Sequence, residues 1–366
     1  MSVTAKQRCV VAYGSVGAGE HEEQTNLALA RWLAQILGWS FTDIRSQDRG
    51  SAQALYFVPA HTLVGEERVE LGISGVEDLL GGYVQHAFMA TKAISHPLLS
   101  RTRWQPQGWN PQFAERVRAV VLAGLTVFDR DDARHAAIEA LRSGPLRVKQ
   151  VQACGGSGQA VLHDSTDLAQ WLSGLDEPTC AQGIVLEENL EQAVTHSVGQ
   201  TLIDGLLMTY HGHQHQVLNR HGESVYAGSD LLLVRGDYVD LLARDLEPQV
   251  RKAIEYARVY DTAAALSFPG FFASRRNYDV LQGMGREGES KFGVLEQSWR
   301  VGGATGAELA ALQVFRERPA VKAVRASTHE AHAECPLPES ARVLYRGPDG
   351  RGDFILKYAQ VDDHDC

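Results

Sequence analysis

The chain has 366 residues and is 44% apolar and 22% charged, with 35 Lys plus Arg against 45 Asp plus Glu and a formal net charge of −10. That length holds two or three domains at roughly 100–200 residues each, and the composition is that of a globular protein with a sizeable core. The acidic balance argues against a reader of the nucleic-acid backbone, which carries a basic face, and is too mild for a disordered acidic chain. No apolar run approaches ~18 residues, so no membrane-spanning helix is expected. The N-terminus enters a strand-like run too soon for a signal peptide. Five scattered cysteines (Cys9, Cys154, Cys180, Cys335 and Cys366) without a C-x-x-C pair read as reduced thiols in the cytoplasm.

Residues 8–13 (RCVVAY) read as a short buried strand. From Glu22 to Leu37, Leu29, Leu33, Ile36 and Leu37 share a helical face, and 54–59 (ALYFVP) is a second strand, so the start is a βαβ unit. Residues 101–112 are polar and turn-rich and read as a linker or exposed loop. Asp129 or Asp131 caps a helix through Leu141. A strand (LRVKQV), a glycine-rich turn, a strand (QAVL), a short helix after Ser165 and a strand (GIVLEENL) follow. From Ser197 to Val234 the pattern is strands and hairpins. Pro248 opens a helix carrying Val250, Ile254 and Ala257 on one face. Two strands, NYDVLQ and KFGVLEQ, flank a turn, residues 304–318 are helical, and 356–366 is expected to fray. The total is α+β, mainly antiparallel after the first third.

Three features carry chemistry. Lys149 lies on the strand entering the turn Cys154-Gly155-Gly156-Ser157-Gly158. Glycines let backbone N–H groups approach phosphates closely. No Gly-Lys-Ser/Thr follows, so the turn is not a Walker A loop. Either it is a lid over a nucleotide with the lysine beneath, or it is a plain turn beside a surface lysine. Asp279 and Glu296 fall on neighbouring strands, with alternation placing Glu296 beside Phe292 and Val294. An acid on an apolar face needs a partner or a cation. Two such carboxylates plus phosphate oxygens suit Mg²⁺, while Arg275, Arg276 or Arg300 are alternative structural partners. The third feature is His211-Gly212-His213-Gln214-His215, which suits zinc if it lies on a strand and is merely solvated if Gly212 marks a hairpin tip. A glycine turn at Tyr13–Gly19 has the order G-x-x-G-x-G, unlike the dinucleotide fingerprint G-x-G-x-x-G.

In order and spacing, LRVKQVQACGGSGQAVL, GIVLEENL, NYDVLQG and FGVLEQSWR resemble the ATP-grasp superfamily, over about residues 85–305. The likeness extends to a bacterial branch of ATP-grasp-type ligases. It implies two α+β lobes gripping a nucleotide, preceded by a small α/β domain. The segments would be 1–110 (pre-ATP-grasp domain), 111–190 (first lobe), 191–345 (second lobe with the metal site) and 346–366 (tail). It implies that Lys149 binds the α- and β-phosphates of ATP, that Lys92 touches phosphate, and that Gly155, Gly156, Ser157 and Gly158 cover it. Glu187, Glu188 and Leu190 would form the adenine hinge, and Glu191 would reach the ribose. Asp279 and Glu296 would hold Mg²⁺. Where family members usually have Asn stands Ser298, whose hydroxyl is a poorer ligand than an amide oxygen, a departure that bears on a second ion and on catalysis. Arg300 matches the family's trailing arginine, with Trp299 replacing a small residue or proline, and Arg276 is the second candidate catalytic arginine. The implied function is cytoplasmic ligation of a small-molecule carboxylate to an amine or thiol through an acylphosphate. The alternative is a nucleotide-binding sensor or assembly protein. No nucleic-acid or membrane partner is expected, and a homodimer is left open.

Overall fold

A computed structural model describes residues 8–14, 19–43, 54–153, 158–218, 222, 224–350 and 352–364. The chain opens with β1 (Arg8–Tyr13), α1 (Glu20–Leu37), β2 (Ser40–Asp43) and β3 (Ala54–Pro59), a parallel sheet in the order β2-β1-β3. The expected βαβ unit is present because α1 buries the face carrying Leu29 and Leu33. The short β4 (Leu63–Val64), α2 (Glu67–Glu70) and β5 (Gly82–Val84) lead to α3 (Pro111–Val117). Asn110 caps α3, its side chain accepting from Gln112 N, and Pro111 takes the first turn, where a missing N–H costs nothing. The stretch expected as linker is pinned: Trp104 and Trp109 both pack edge-on against Phe128.

The next unit comprises β6 (Gly124–Val127), α4 (Arg130–Ala140), β7 (Leu146–Gln150), β8 (Gln159–Leu162), α5 (Ser165–Gly174), α6 (Glu177–Gln182) and β9 (Ile184–Glu188). Its antiparallel sheet has the order β6-β9-β7-β8. Asp129, one of the two expected caps, accepts from Asp131 N and Asp132 N. Ala133, Ala137, Val148, Leu162 and Leu186 form the core beneath.

The remaining elements are β10 (Glu191–Ile203), β11 (Leu206–Leu218), β12 (Ser224–Arg235), α7 (Tyr238–Leu242), α8 (Pro248–Ser267), β13 (Phe272–Ala273), β14 (Arg275–Met284), β15 (Ser290–Ser298), α9 (Thr305–Glu317), β16 (Ala323–Ala331), β17 (Arg342–Pro348) and β18 (Phe354–His364). Eight of these strands form one sheet, β15-β14-β10-β11-β12-β16-β18-β17. Tyr278, Val280 and Val294 pack with Ile254, Ala257 and Tyr260 of α8 on one face. Tyr210, Leu231 and Leu233 pack with α9 and with α1 of the N-terminal unit on the other. Both faces are therefore covered, apart from the polar patch described below.

The frayed tail expected beyond residue 356 is not what the described residues form. β18 pairs with both β16 and β17, and Ile355, Leu356 and Ala359 are buried. The strand opens on the apolar run Phe354-Ile355-Leu356, and burying side chains the size of Ile355 and Leu356 stabilises the fold by roughly 1.5–3 kcal/mol each, enough to hold a terminal strand. Residues 365 and 366 lie outside the described set.

Candidate functional site

β7 carries Lys149 into the interior, not to the surface. Its Nζ pairs with a carboxylate oxygen of Glu187 on the adjacent β9, and the side chains are 5% and 1% exposed. Glu187 Oε2 also lies 3.2 Å from His96 Nε2, whose ring is equally buried. Burial alone would raise the Glu187 pKa; the Lys149 ammonium and the His96 hydrogen bond outweigh it and hold the carboxyl at about 2. Sequence reasoning had no signal for His96, which reaches Glu187 across 91 residues.

The hairpin between β7 and β8 is closed by Gln150 N donating to Gly158 O at 2.9 Å. Gly158 has φ +62°, and a Cβ there would meet Ala153 Cβ at 2.5 Å, so glycine is required. Gly155, Gly156 and Ser157 lie outside the described residues, as does Cys154.

Asp279 on β14 stands opposite Glu296 on β15. The register steps between Asp279 and Val280, which pairs with Val294, so Leu295 is the extra residue of a β-bulge. This corrects the simple alternation. The bulge puts Val294 with Val280 toward α8 and turns Glu296 to the other face with Asp279. Leu295 joins a small apolar cluster with Leu122, Leu190 and Leu281. Burial and then the nearby Glu296 charge raise the Asp279 pKa to about 6, against the lowering effect of hydrogen bonds from Gln214 and Asn277 and of Lys92.

Lys92 ties three parts of the chain together. Its Nζ sits 2.8 Å from Glu296 Oε2 and donates to Ala153 O, at the base of the glycine-rich hairpin, at 3.0 Å. It follows Thr91, whose hydroxyl caps this short 3₁₀ turn by accepting from Ala93 N. Two carboxylates against one ammonium leave the group with a formal surplus of one negative charge. Two facing carboxylates with such a surplus form an oxygen donor set of the kind a hard divalent cation accepts, so these residues fit Mg²⁺. Ser298 pairs with Asn277 on the same strands and shares their face. Among the described residues no group of three or more His, Cys, Asp or Glu is arranged to hold a metal ion.

The residues expected at the hinge have definite partners. Glu188 N donates to Ala123 O at 2.9 Å, and its carboxylate meets Lys291 Nζ of β15 at 2.5 Å, bridging the two sheets. Leu190 is buried in the cluster around Leu295, and Glu191 is exposed at the start of β10. Lys291 had no motif to mark it.

The arginines separate. Arg276 Nη1 reaches Asp261 of α8 at 3.5 Å and Gln200 at 3.3 Å, on the face away from Asp279. The structure does not bring it to the carboxylates, because alternation on β14 sets 275, 277 and 279 against 276, 278 and 280. The polar series Arg275-Asn277-Asp279 was the signal that singles out Arg275. Arg300 lies just past β15, its Nη1 donating to Val301 O at 2.8 Å. Trp299, the departure beside it, is a core residue 1% exposed that donates to Tyr278 Oη at 3.2 Å.

The histidine triplet lies within β11, with His211 and His213 paired on both sides and His215 paired with β12, and is not a hairpin tip. Gly212 is there because a Cβ would fall 1.9 Å from Asp230 O. Burial, with His213 and His196 nearby, pulls the His211 pKa to about 4. His215 pairs with Asp230 at 2.6 Å on the exposed side. The turn at Tyr13–Gly19 falls largely outside the described residues.

A family profile described as "Protein of unknown function (DUF3182)" matches residues 10–359. The chain belongs to that family. No curated protein matches it. Among solved structures, this DUF3182 member is similar to D-alanyl-alanine synthetase A from Vibrio cholerae, with TM-score 0.46 and 13% identity over 80% of this chain and 89% of that one. It is also similar to the D-cycloserine synthetase DcsG, with TM-score 0.46 and 12% identity over 84% and 97%. A third is the D-alanine-D-alanine ligase from Coxiella burnetii, with TM-score 0.38 and 10% identity over 80% and 86%. Among the described residues no helix is long and apolar enough to cross a membrane.

Proposed function

We propose that the chain is an ATP-binding protein of the ATP-grasp kind and an ADP-forming ligase that joins a small-molecule carboxylate to an amine or thiol in the cytoplasm. One observation carries the reading. Asp279 and Glu296 face each other on paired strands, and Lys92 links Glu296 to the base of the glycine-rich hairpin. A phosphate chain laid between hairpin and carboxylates would lie within reach of both sheets. Lys92 and Lys149 are the cations for its phosphates, and Leu122, Leu190, Leu281 and Leu295 offer an apolar bed for a base beside the hinge. Asp279 and Glu296, with Ser298 next to them, would hold Mg²⁺, which when bound neutralises phosphate charge. The carboxylate substrate attacks the γ-phosphorus, releasing ADP and forming an acylphosphate. The acceptor then displaces phosphate. The chain's own work is to position the reactants and spread their charge, with Arg300 the candidate contact to the transferred group.

The test begins with thermal denaturation in ATP or ADP with Mg²⁺. At ~100 times its dissociation constant a nucleotide adds about 2.7 kcal/mol of stability. No shift with any purine nucleotide at millimolar concentration sinks the reading. ADP release with pools of amino acids and small carboxylates then separates the ligase from a nucleotide-binding sensor, the second reading, which Ser298 favours because its hydroxyl is the weaker ligand.

A further inference from the structure

We propose that the buried pair Arg275–Glu308 is an anchor that positions the candidate cation site, acting through Tyr210 and Asn277 on one side and through the Ser298–Arg300 backbone on the other. This rests on reading Asp279 and Glu296 as the cation's ligands. Arg275 and Glu308 are 1% and 0% exposed, with Arg275 Nη2 2.9 Å from Glu308 Oε1 and Nε 3.1 and 3.0 Å from the two oxygens. Replacing such a pair with apolar side chains of the same volume is often neutral or stabilising, so its presence is better explained by what it holds than by what it contributes to stability.

It holds two things. Tyr210 Oη shares its one proton between Glu308 Oε1 at 2.7 Å and Asn277 Oδ1 at 2.9 Å, and Ser197 Oγ donates to the same Asn277 oxygen at 2.7 Å. That fixes the Asn277 amide with its nitrogen toward Asp279, where Nδ2 donates to Oδ1 at 3.0 Å. Gln214 Nε2 donates to the same oxygen at 2.7 Å. Two donors on one carboxylate oxygen set the rotation of the whole group. In the other direction Arg275 Nη1 donates to Ser298 O at 3.3 Å and to Arg300 O, fixing the turn that presents both residues. Helix α9, which carries Glu308, starts at Thr305, whose hydroxyl accepts from Gly302 N at 2.9 Å. Partners of this kind orient ligating carboxylates, and losing one commonly lowers metal affinity ~10–100-fold. Tyr210 and Asn277 are thus positioning residues, touching neither nucleotide nor cation.

Glu308→Gln strands a buried guanidinium and is a poor probe. Tyr210→Phe removes one hydroxyl, keeps the ring in the core and leaves the ion pair intact. ATP affinity is measured by calorimetry with Mn²⁺ and again in EDTA, beside apo melting curves, for the parent and for Tyr210→Phe. The expected result is a loss of about tenfold in the Mn²⁺-dependent affinity, with the EDTA affinity and the apo melting temperature nearly unchanged. Asn277→Ala should lose at least as much of the Mn²⁺ dependence. If Tyr210→Phe lowers the melting temperature yet keeps the full Mn²⁺ gain, the network is only structural and the proposal falls while the cation-site reading stands. If the parent binds ATP but gains nothing from Mn²⁺, the reading itself falls and takes the anchor with it.

Discussion

Two lysine–carboxylate clusters are built from the same side chains and are pushed in opposite directions. In the first cluster, Lys149 meets one carboxylate, Glu187, with His96 as a second donor, and the acid is held down at about 2. In the second, Lys92 meets Glu296 while Asp279 stands opposite, and Asp279 is pushed up to about 6. Burial acts the same way on both acids. The sign is decided by the count of charges: one cation per carboxylate in the first cluster, one for two in the second. A charge-balanced pair closes on itself, whereas a surplus carboxylate makes a place for an added cation. The difference therefore separates a pair whose charges are already balanced from one that still lacks a cation.

The largest expected effect breaks the finished cluster. Glu187→Gln leaves the Lys149 ammonium buried with no acid beside it and should cost about 3–5 kcal/mol in urea denaturation. Lys149→Ala should cost a similar amount, because Glu187 is then the stranded charge. A lysine with no acid beside it would instead be lost with little effect on folding, and a Lys149→Ala chain that melts like the parent would remove the first cluster from this comparison.

Acid reads the same cluster without mutation. The folded Glu187 pKa is below its ordinary 4.5, so its stabilisation is fully present above that value and is lost as pH falls through about 2. A shift of that size is worth about 3 kcal/mol. Denaturant titrations from pH 5 to 2 should show this loss in the parent and not in Glu187→Gln.

The surplus cluster runs the other way. The folded Asp279 pKa lies above its ordinary 3.8, so the group favours the folded state at low pH, and that contribution is lost as pH rises through about 6. Asp279→Asn keeps an oxygen for Gln214 and Asn277 and removes the clash with Glu296. It should stabilise the apo protein near neutral pH by about 1–3 kcal/mol and flatten this part of the pH profile. The same variant should lose the Mg²⁺-dependent part of nucleotide binding. A destabilised Asp279→Asn would mean that no surplus charge resides there.

Much of this was legible in the residues. Periodicity marks the βαβ start, the capped helices and the antiparallel pair that carries Asp279 and Glu296, because each of these is a local property of side-chain spacing. Three things were not. The bulge at Leu295 reverses the face on which Glu296 lies, and an inserted residue leaves no trace in a period-2 pattern. Lys149 looks like a free cation until β7 is paired with β9, which brings Glu187 alongside from 38 residues away. The terminal strand Phe354–His364 has only a short apolar run, Phe354-Ile355-Leu356, to mark it; its partner β16 supplies the missing hydrogen bonds. Each miss concerns a contact made by tertiary pairing, and the choice of Arg276 over Arg275 is the one that alternation along a single strand would have settled.

The smallest expected effect is the sharpest discriminator. Glu296→Gln removes the direct partner of Lys92, a side chain only 7% exposed. If the two clusters were alike, this would cost as much as Glu187→Gln. They are not alike, because Asp279 stands across from Glu296 and its charge already favours the Lys92 ammonium. With the surplus removed, one ammonium faces one carboxylate, and the cluster becomes balanced. Glu296 is itself 35% exposed, so solvent screens the lost contact, and the cost should stay within about 1 kcal/mol. Among the described residues Lys149 makes one ion pair, with Glu187, and no second acid stands beside it as Asp279 does beside Glu296. The two glutamate-to-glutamine variants therefore change the same atoms and should differ in apo stability by about 2–4 kcal/mol. Parallel urea curves measure that gap, and Mg²⁺-dependent ATP binding of Glu296→Gln completes the comparison, since that variant should keep its fold and lose the cation's contribution. Equal losses of stability in the two variants would make both clusters structural and leave the carboxylate pair without a cation to hold.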